Sequence, residues 1–244
     1  MNGWRRYACV AALVTVGINM LAAGCGDDTP ESPSRYLLIT ADRLETIRQD
    51  VAAGVSSWNL LRSNVDEEMN TIDEYRTSPE NIALVYLLTG EKKYAQAAYA
   101  WANEIMGTAE VRADSYLNFG DIMRRVAIVL NYCGAALHAV QRIKMEAYLD
   151  TWTHELWFEN EGSGWGLNDP GNNYHMAFLE GTAFAGYALR EVGNPNGQKY
   201  LDLLVDKIEK PGGVLDYLGT RARGGDWPEG TNYGQRAKQR LFSA

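Results

Sequence analysis

Cysteine is scarce in this chain of 244 residues, which contains only three. Cys9 lies in the apolar N-terminal stretch, Cys25 follows that stretch, and Cys133 lies on the apolar face of a predicted helix. No two of them have CxxC spacing. The sequence therefore offers no disulfide framework and no cysteine-based metal motif.

Histidine is equally scarce, with three residues in the chain, and cofactor motifs are missing. His138 and His154 lie on or beside predicted helical stripes, and neither has a second histidine at i, i+4 spacing. The sequence also contains no HExxH, Walker, Rossmann or GxSxG pattern. We therefore predict no metal site and no cofactor, and we interpret His138 and His154 as structural.

Positive charge is in deficit as well. The chain has 31 acidic and 23 basic residues, a net charge of −8, and no basic run interleaved with aromatics. We therefore expect no nucleic-acid partner, and an anionic polymer would need a local basic or amide-rich patch. With 46% hydrophobic and 22% charged residues, the composition is that of a globular protein.

The N-terminus has the pattern of an export signal. Residues 1–24 contain a basic start at Arg5 and Arg6, an apolar run, and "LAAGC" ending at Cys25. This resembles a bacterial lipoprotein signal peptide, although Ala22 replaces the commoner Leu. We predict lipidation of Cys25, which would anchor the protein to a membrane of the cell envelope, facing the periplasm or the outer surface. A plain secretory signal and a single uncleaved anchor are the alternatives.

Residues 25–34 are polar and proline-containing, which predicts a flexible tether. Residues 35–244 show helical periodicity and no convincing alternating strand. Ser78 is a predicted helix N-cap, with Pro79 at the first helical position and Gly90 as the stop. The segment after Asn173 is apolar nearly all round, which predicts a helix buried on more than one side. Successive helix–turn–helix units predict an all-α domain of stacked hairpins.

Three segments carry a family resemblance: "NIALVYLLTGEKKYAQAAYAWANEIM", "GNNYHMAFLEGTAFAGYAL" and "GGDWPEGTNYG". They look like the helical domain of the heparinase II/III-like and alginate lyase families, over most of residues 35–244. The resemblance implies an incomplete (α/α) toroid of helical hairpins with no β-sandwich domain present. Those families close a larger toroid and add a β-sandwich. We therefore expect a chain truncated at its C-terminus, with Leu241 and Phe242 on an unfinished apolar face and little or no activity by itself.

The same families cleave uronic-acid polysaccharides, such as alginate or glycosaminoglycans, by β-elimination. That reaction needs donors that hold a carboxylate, a base that takes the neighbouring proton, and an acid that protonates the departing oxygen. The family's residues carry over to Asn173 as the carboxylate holder, with Asn172 as the alternative, to His175 and to Tyr233. Here Tyr174 stands between Asn173 and His175.

Further substrate contacts are predicted from polar and aromatic residues around the two motifs. Either Asn172 or Asn173 would cap the helix after the "DPG" turn, while its neighbour's amide points into the cleft. Arg221, Arg223 and Arg236 are candidates to stabilise the Tyr233 phenolate, and Glu229 could orient one of them or brace the loop. The predicted substrate-binding set is Asn172, Tyr174, Trp165, Trp227, Arg223 and Glu229.

Two other functions remain open on sequence alone. A glycoside hydrolase on a similar helical toroid would need two carboxyl groups, for instance Asp169 or Asp226 with Glu229. A non-catalytic lipoprotein that binds glycans would need neither carboxyl group.

Overall fold

The computed structural model describes residues 36–69, 78–159, 165–224, 227 and 230–243, and only the backbone of 231–233 and 243. The predicted signal peptide, the lipidation site Cys25 and the tether lie outside these residues. Asp226 and Glu229 lie outside them too.

The described chain is helical, which confirms the predicted all-α class. Within it there is no β-strand, only one isolated bridge between Tyr36 and Ile39. Short 3₁₀ turns occur at Ala113–Tyr116 and Gly134–Ala136, and a π-helical turn spans Glu155–Glu159. The α-helices are α1 (Ala41–Ala52), α2 (Ser56–Glu68), α3 (Pro79–Thr89), α4 (Lys92–Thr108), α5 (Phe119–Cys133), α6 (Ala139–His154), α7 (Asn173–Glu191), α8 (Asn196–Glu209), α9 (Val214–Thr220) and α10 (Gly230–Ser243).

The ends of α3 follow the predicted signals. The Ser78 side chain accepts a hydrogen bond from the backbone N–H of Asn81 at 3.3 Å, and Pro79 occupies the first helical position. Gly90 ends the helix with φ at 71°, a left-handed conformation that glycine adopts without a steric penalty. The predictions for Ser78, Pro79 and Gly90 are therefore confirmed.

The helices from α3 onwards form two layers. In the first layer α3 packs on α5, α5 on α7, and α7 on α10. In the second layer α6 contacts both α4 and α8. Each of the hairpins α3–α4, α5–α6 and α7–α8 therefore contributes one helix to each layer.

Helix α7 lies at the centre of this packing. Of its 19 residues, 15 are buried, which confirms that it is covered on more than one side. It approaches α5 closely because both helices carry glycine at the crossing. A Cβ on Gly120 would lie 2.6 Å from the Ala177 carbonyl oxygen, and one on Gly181 would lie 2.5 Å from the Phe119 ring.

A second, smaller cluster joins α7 to the C-terminal helices. It contains Met176, Leu179, Ala183, Leu204, Val214, Trp227 and Ala237. Leu241 packs against this cluster, whereas Phe242 is 87% exposed. The cluster therefore fixes the start of α7, where the sequence places its candidate catalytic residues.

Candidate functional site

A tight turn at residues 166–172 precedes α7. Gly166 has φ of +78°, and a Cβ there would lie 2.9 Å from the Asn172 side chain. The Asp169 carboxylate accepts a hydrogen bond from the backbone N–H of Gly171 at 3.0 Å. A Cβ on Gly171 would meet the Tyr217 hydroxyl at 2.6 Å. The turn is therefore closely packed on both sides, and its two glycines are sterically required.

The two asparagines of the motif have different places. Asn172 is the N-cap of α7, and its side-chain oxygen accepts from the backbone N–H of Tyr174 at 2.9 Å. Asn173 is the first helical residue and is 3% exposed. Its carbonyl oxygen lies 3.4 Å from the Arg240 guanidinium of α10. Of the two capping alternatives, the structure selects Asn172.

His175 is almost fully buried, at 2% exposure, one turn into the same helix. Its Nδ1 atom lies 3.0 Å from the carbonyl oxygen of Leu167. A carbonyl oxygen only accepts hydrogen bonds, so Nδ1 carries the proton and the neutral ring keeps its lone pair on Nε2. Nε2 is buried and has no hydrogen-bond partner among the residues that the structure describes.

Burial holds this ring neutral. It lowers the pKa of His175 from 6.5 to about 4, and the positive charge of Lys207 acts in the same direction. The hydrogen bond to the Leu167 carbonyl opposes the shift without reversing it. At neutral pH the Nε2 atom is therefore an unprotonated base.

Trp157 lies beside this base, on the π-helical turn after α6. Its ring is edge-on to the His175 ring, with centroids 6.3 Å apart. The indole N–H donates to the Thr182 hydroxyl at 2.7 Å, and the Lys207 ammonium lies 4.9 Å from the indole ring. Lys207 also donates to the Asn168 side chain at 3.2 Å. The site therefore combines an imidazole, an indole and a cation from three different elements.

Sequence reasoning selected neither Trp157 nor Lys207 for this site. Trp157 belongs to the aromatic-rich stretch before the turn, which was a usable signal. Lys207 lies on α8, 32 residues after His175, and its spacing gives no local pattern. Only the packing of α7 on α8 brings it near the ring.

Tyr233, the third predicted catalytic residue, lies on α10, which packs on α7. The structure thus brings the two motif-bearing helices together. The side chain of Tyr233 belongs to the part that the structure leaves undescribed, as does Glu229. The sharing of one cleft by Tyr233 and His175 therefore stays a prediction.

The remaining predicted contact residues differ in exposure. Trp165 is 65% exposed beside the turn, and Arg223 is exposed after α9. Tyr174 is partly buried and edge-on to Phe178 at 6.5 Å. Trp227 is only 4% exposed and packs within the second cluster, 5.8 Å from the Tyr217 ring centroid. The ring of Trp227 is covered by protein, so it offers no free face to a sugar ring.

Asp169, one carboxylate of the alternative hydrolase pair, is exposed and holds the turn through Gly171.

Among the helices that the structure describes, none is long and apolar enough to cross a membrane.

No protein-family model matches this chain, and no curated protein is similar to it in sequence. Function is therefore inferred from the side chains of the site and their chemistry.

Proposed function

We propose that this chain is a polysaccharide lyase-like protein that cleaves a uronic-acid polysaccharide by β-elimination. The observation that carries the proposal is the neutral imidazole of His175, whose Nδ1–H donates to Leu167 while Nε2 keeps a bare lone pair. A base with this protonation state is what proton abstraction at neutral pH requires. It lies one turn inside a helix whose N-terminus favours an anionic group.

In the proposed reaction, Nε2 of His175 takes the proton from the sugar carbon that bears the carboxylate. The electron pair of that C–H bond forms a carbon–carbon double bond, and the glycosidic C–O bond breaks. The Tyr233 hydroxyl protonates the departing oxygen, and solvent afterwards restores both protonation states. Asn173, with Asn172 as the alternative, donates to the substrate carboxylate and stabilises the charge that develops on it.

The substrate must reach Nε2, which is buried in this structure. The proposal therefore requires that substrate binding exposes it, by movement of the turn between Gly166 and Asn172. Trp165, exposed beside that turn, offers a flat apolar face for a sugar ring. Tyr174 and Arg223 are the proposed polar contacts, together with Glu229.

The two helical layers support the predicted (α/α) toroid. We infer that the hairpins α3–α4, α5–α6 and α7–α8 are successive units of an (α/α) toroid, because each unit places one helix in each layer. The family resemblance to heparinase II/III-like and alginate lyases remains part of this proposal.

The proposed location is the cell envelope, with the domain tethered through a lipid on Cys25. A Cys25→Ala variant should leave the membrane fraction or remain unprocessed. If it is processed and still sediments with membranes, the lipid anchor is wrong.

The function is tested by incubating the full chain with a panel of uronic-acid polysaccharides and following the ultraviolet absorbance of the unsaturated product. His175→Gln should lower turnover by about a hundredfold or more, the usual contribution of a general base. Tyr233→Phe should also lose turnover. The matched control is His154→Gln, at a surface histidine, which should retain it. Absence of unsaturated product with every polysaccharide would contradict the proposal.

A further inference from the structure

A polar cleft of about 280 Å³ lies between α5, α7 and α10, on the side of α7 that Glu180 faces. This volume is near the lower end for ligand pockets, so the cleft suits one small unit of a larger ligand. Its lining consists of Asp121, Arg124, Glu180, Arg236, Gln239 and Arg240.

Two arginines of the cleft bridge its two carboxylates. Arg124 lies 3.2 Å from the Asp121 carboxylate and 3.1 Å from that of Glu180. Arg240 lies 3.4 Å from the Asp121 carboxylate and 3.6 Å from that of Glu180. Arg124 also lies 3.5 Å from the Glu80 carboxylate, which Arg125 approaches at 4.0 Å. The charges of these six side chains therefore balance one another.

Arg236 is the third arginine of the cleft lining. Its side chain is exposed at the cleft and makes no ion pair with any residue that the structure describes. The lining thus holds three guanidinium groups, those of Arg124, Arg236 and Arg240, against two carboxylates, an excess of one positive charge. In a chain with a net charge of −8, this is the local basic patch that an anionic ligand needs.

Glu180 supplies a second, independent signal. The residue is 1% exposed, and its Oε2 atom is buried without a hydrogen-bond donor. The nearest charged group of Arg240 lies 3.6 Å away, beyond hydrogen-bond distance. A buried acceptor without a donor is costly, so this oxygen is suited to receive a ligand O–H. Burial also raises the pKa of Glu180, with Arg124 opposing the shift.

We propose that this cleft binds one uronate unit of an acidic saccharide. The carboxylate of that unit binds Arg236, with Arg240 beside it, and a ring hydroxyl donates to Oε2 of Glu180. A neutral sugar lacks the anion, and a simple anion lacks the hydroxyl. The choice of a saccharide rests on the proposed function, whereas the donor and acceptor pattern is independent of it.

The cleft is linked to the start of α7 through Arg240, whereas the His175 ring faces Trp157. Glu180 follows His175 by five residues on α7, which places the two side chains about 140° apart around the helix and about 7.5 Å apart along its axis. Arg240 contacts both the cleft carboxylates and the carbonyl oxygen of Asn173. We therefore assign the cleft to a sugar unit other than the cleaved one.

The test is calorimetric binding of the full chain to tetrasaccharides of galacturonate, glucuronate and mannuronate at low ionic strength. The control ligands are the same tetrasaccharides with their carboxyl groups reduced to alcohols, and inorganic sulfate. Arg236→Gln should weaken binding about tenfold, as expected for loss of a charge-assisted hydrogen bond. Arg236→Lys should bind with intermediate affinity because it keeps the charge but not the planar fork. Arg43→Gln, at an exposed arginine of α1 that does not line the cleft, should bind as the wild type does.

Binding of a uronate tetrasaccharide that Arg236→Gln weakens and carboxyl reduction abolishes would support the proposal. Equal binding of the reduced ligands, equal binding by Arg236→Gln, or sulfate binding as tightly as the uronates would overturn it. So would absence of binding to all three uronates. His175→Gln separates the two proposals, since it should lose turnover and keep binding. Binding without turnover in the wild type would contradict the lyase reaction but not the proposal that the cleft binds a uronate unit.

Discussion

The Nδ1 atom of His175 and the carbonyl oxygen of Leu167 lie 3.0 Å apart and belong to opposite ends of one turn. This contact decides which imidazole nitrogen carries the proton, and so which one is left as a base. It also makes the base depend on the turn, because Gly166 and Asn172 fix how the chain passes from Leu167 into α7. The turn-rich motif therefore starts α7 and also sets which nitrogen of His175 carries the proton.

Stability should depend on pH through His175. Burial lowers the pKa of His175 from its ordinary value of 6.5 to about 4 in the folded protein, so between these values the unfolded chain binds more protons. The contribution is present above pH 6.5 and is lost as pH falls through about 4. Between about pH 7.5 and pH 5 it lowers the free energy of unfolding by about 2 kcal/mol.

Urea denaturation of wild type and His175→Gln at the two pH values measures this contribution. The wild type should lose about 2 kcal/mol more than the variant does. His154→Gln, the surface control, should behave as the wild type. Equal pH dependence in wild type and His175→Gln would show that His175 is not held neutral by burial.

The close crossing of α5 and α7 should make Gly120 intolerant of a methyl group. In Gly120→Ala, the new Cβ would lie 2.6 Å from the backbone oxygen of Ala177, so the helices must separate. We expect a loss of about 1–3 kcal/mol in the free energy of unfolding. Gly107→Ala is the control, because that glycine lies in α4 with no atom within 4 Å of its Cβ position. Alanine there should be neutral or stabilising by up to about 1 kcal/mol. Equal effects of the two changes would be incompatible with the described crossing.

A tyrosine hydroxyl should contribute to the docking of α4 on the N-terminal helices. Tyr94 is buried, and its hydroxyl donates to the Asp66 carboxylate of α2 at 2.6 Å. This bond is the main reason that the pKa of Asp66 is lowered. Tyr94→Phe should cost about 1.5–3 kcal/mol, as is usual for a hydrogen bond to a charged group. Tyr99→Phe removes a long 3.4 Å bond on the same helix and should cost less than about 0.5 kcal/mol. Thermal unfolding of the two variants compares them, and a larger loss in Tyr99→Phe would refute the ranking.

Local signals in the sequence were enough to predict the helices and part of the site. The caps of α3 at Ser78 and Gly90 are short-range features, and the near-uniform apolarity of α7 reports its central place. The turn before α7 was predictable for the same reason, because Asp169, Gly171 and Asn172 act within a few residues.

The rest of the site depends on contacts between distant parts of the chain. The Glu180 to Arg240 pair spans 60 positions, and Lys207 reaches His175 only through the packing of α8 on α7. Trp227 was predicted as a sugar contact because it lies in a turn-rich segment, yet it is buried between α9 and α10. Periodicity does not report how a loop side chain is covered by neighbouring helices.

β-Elimination with His175 as the base can be tested by following the oxygen of water. A defined uronate tetrasaccharide is cleaved in water enriched in heavy oxygen, and the products are weighed by mass spectrometry. Elimination adds no water, so we expect an unsaturated product, lighter than the hydrolysis product by one water molecule, with no more heavy oxygen than the reducing end of uncleaved tetrasaccharide acquires by exchange. His175→Gln should form this product at least about a hundredfold more slowly. Stoichiometric heavy oxygen in one of the new ends would identify hydrolysis and rule out elimination. An unsaturated product formed equally fast by His175→Gln would rule out His175 as the base.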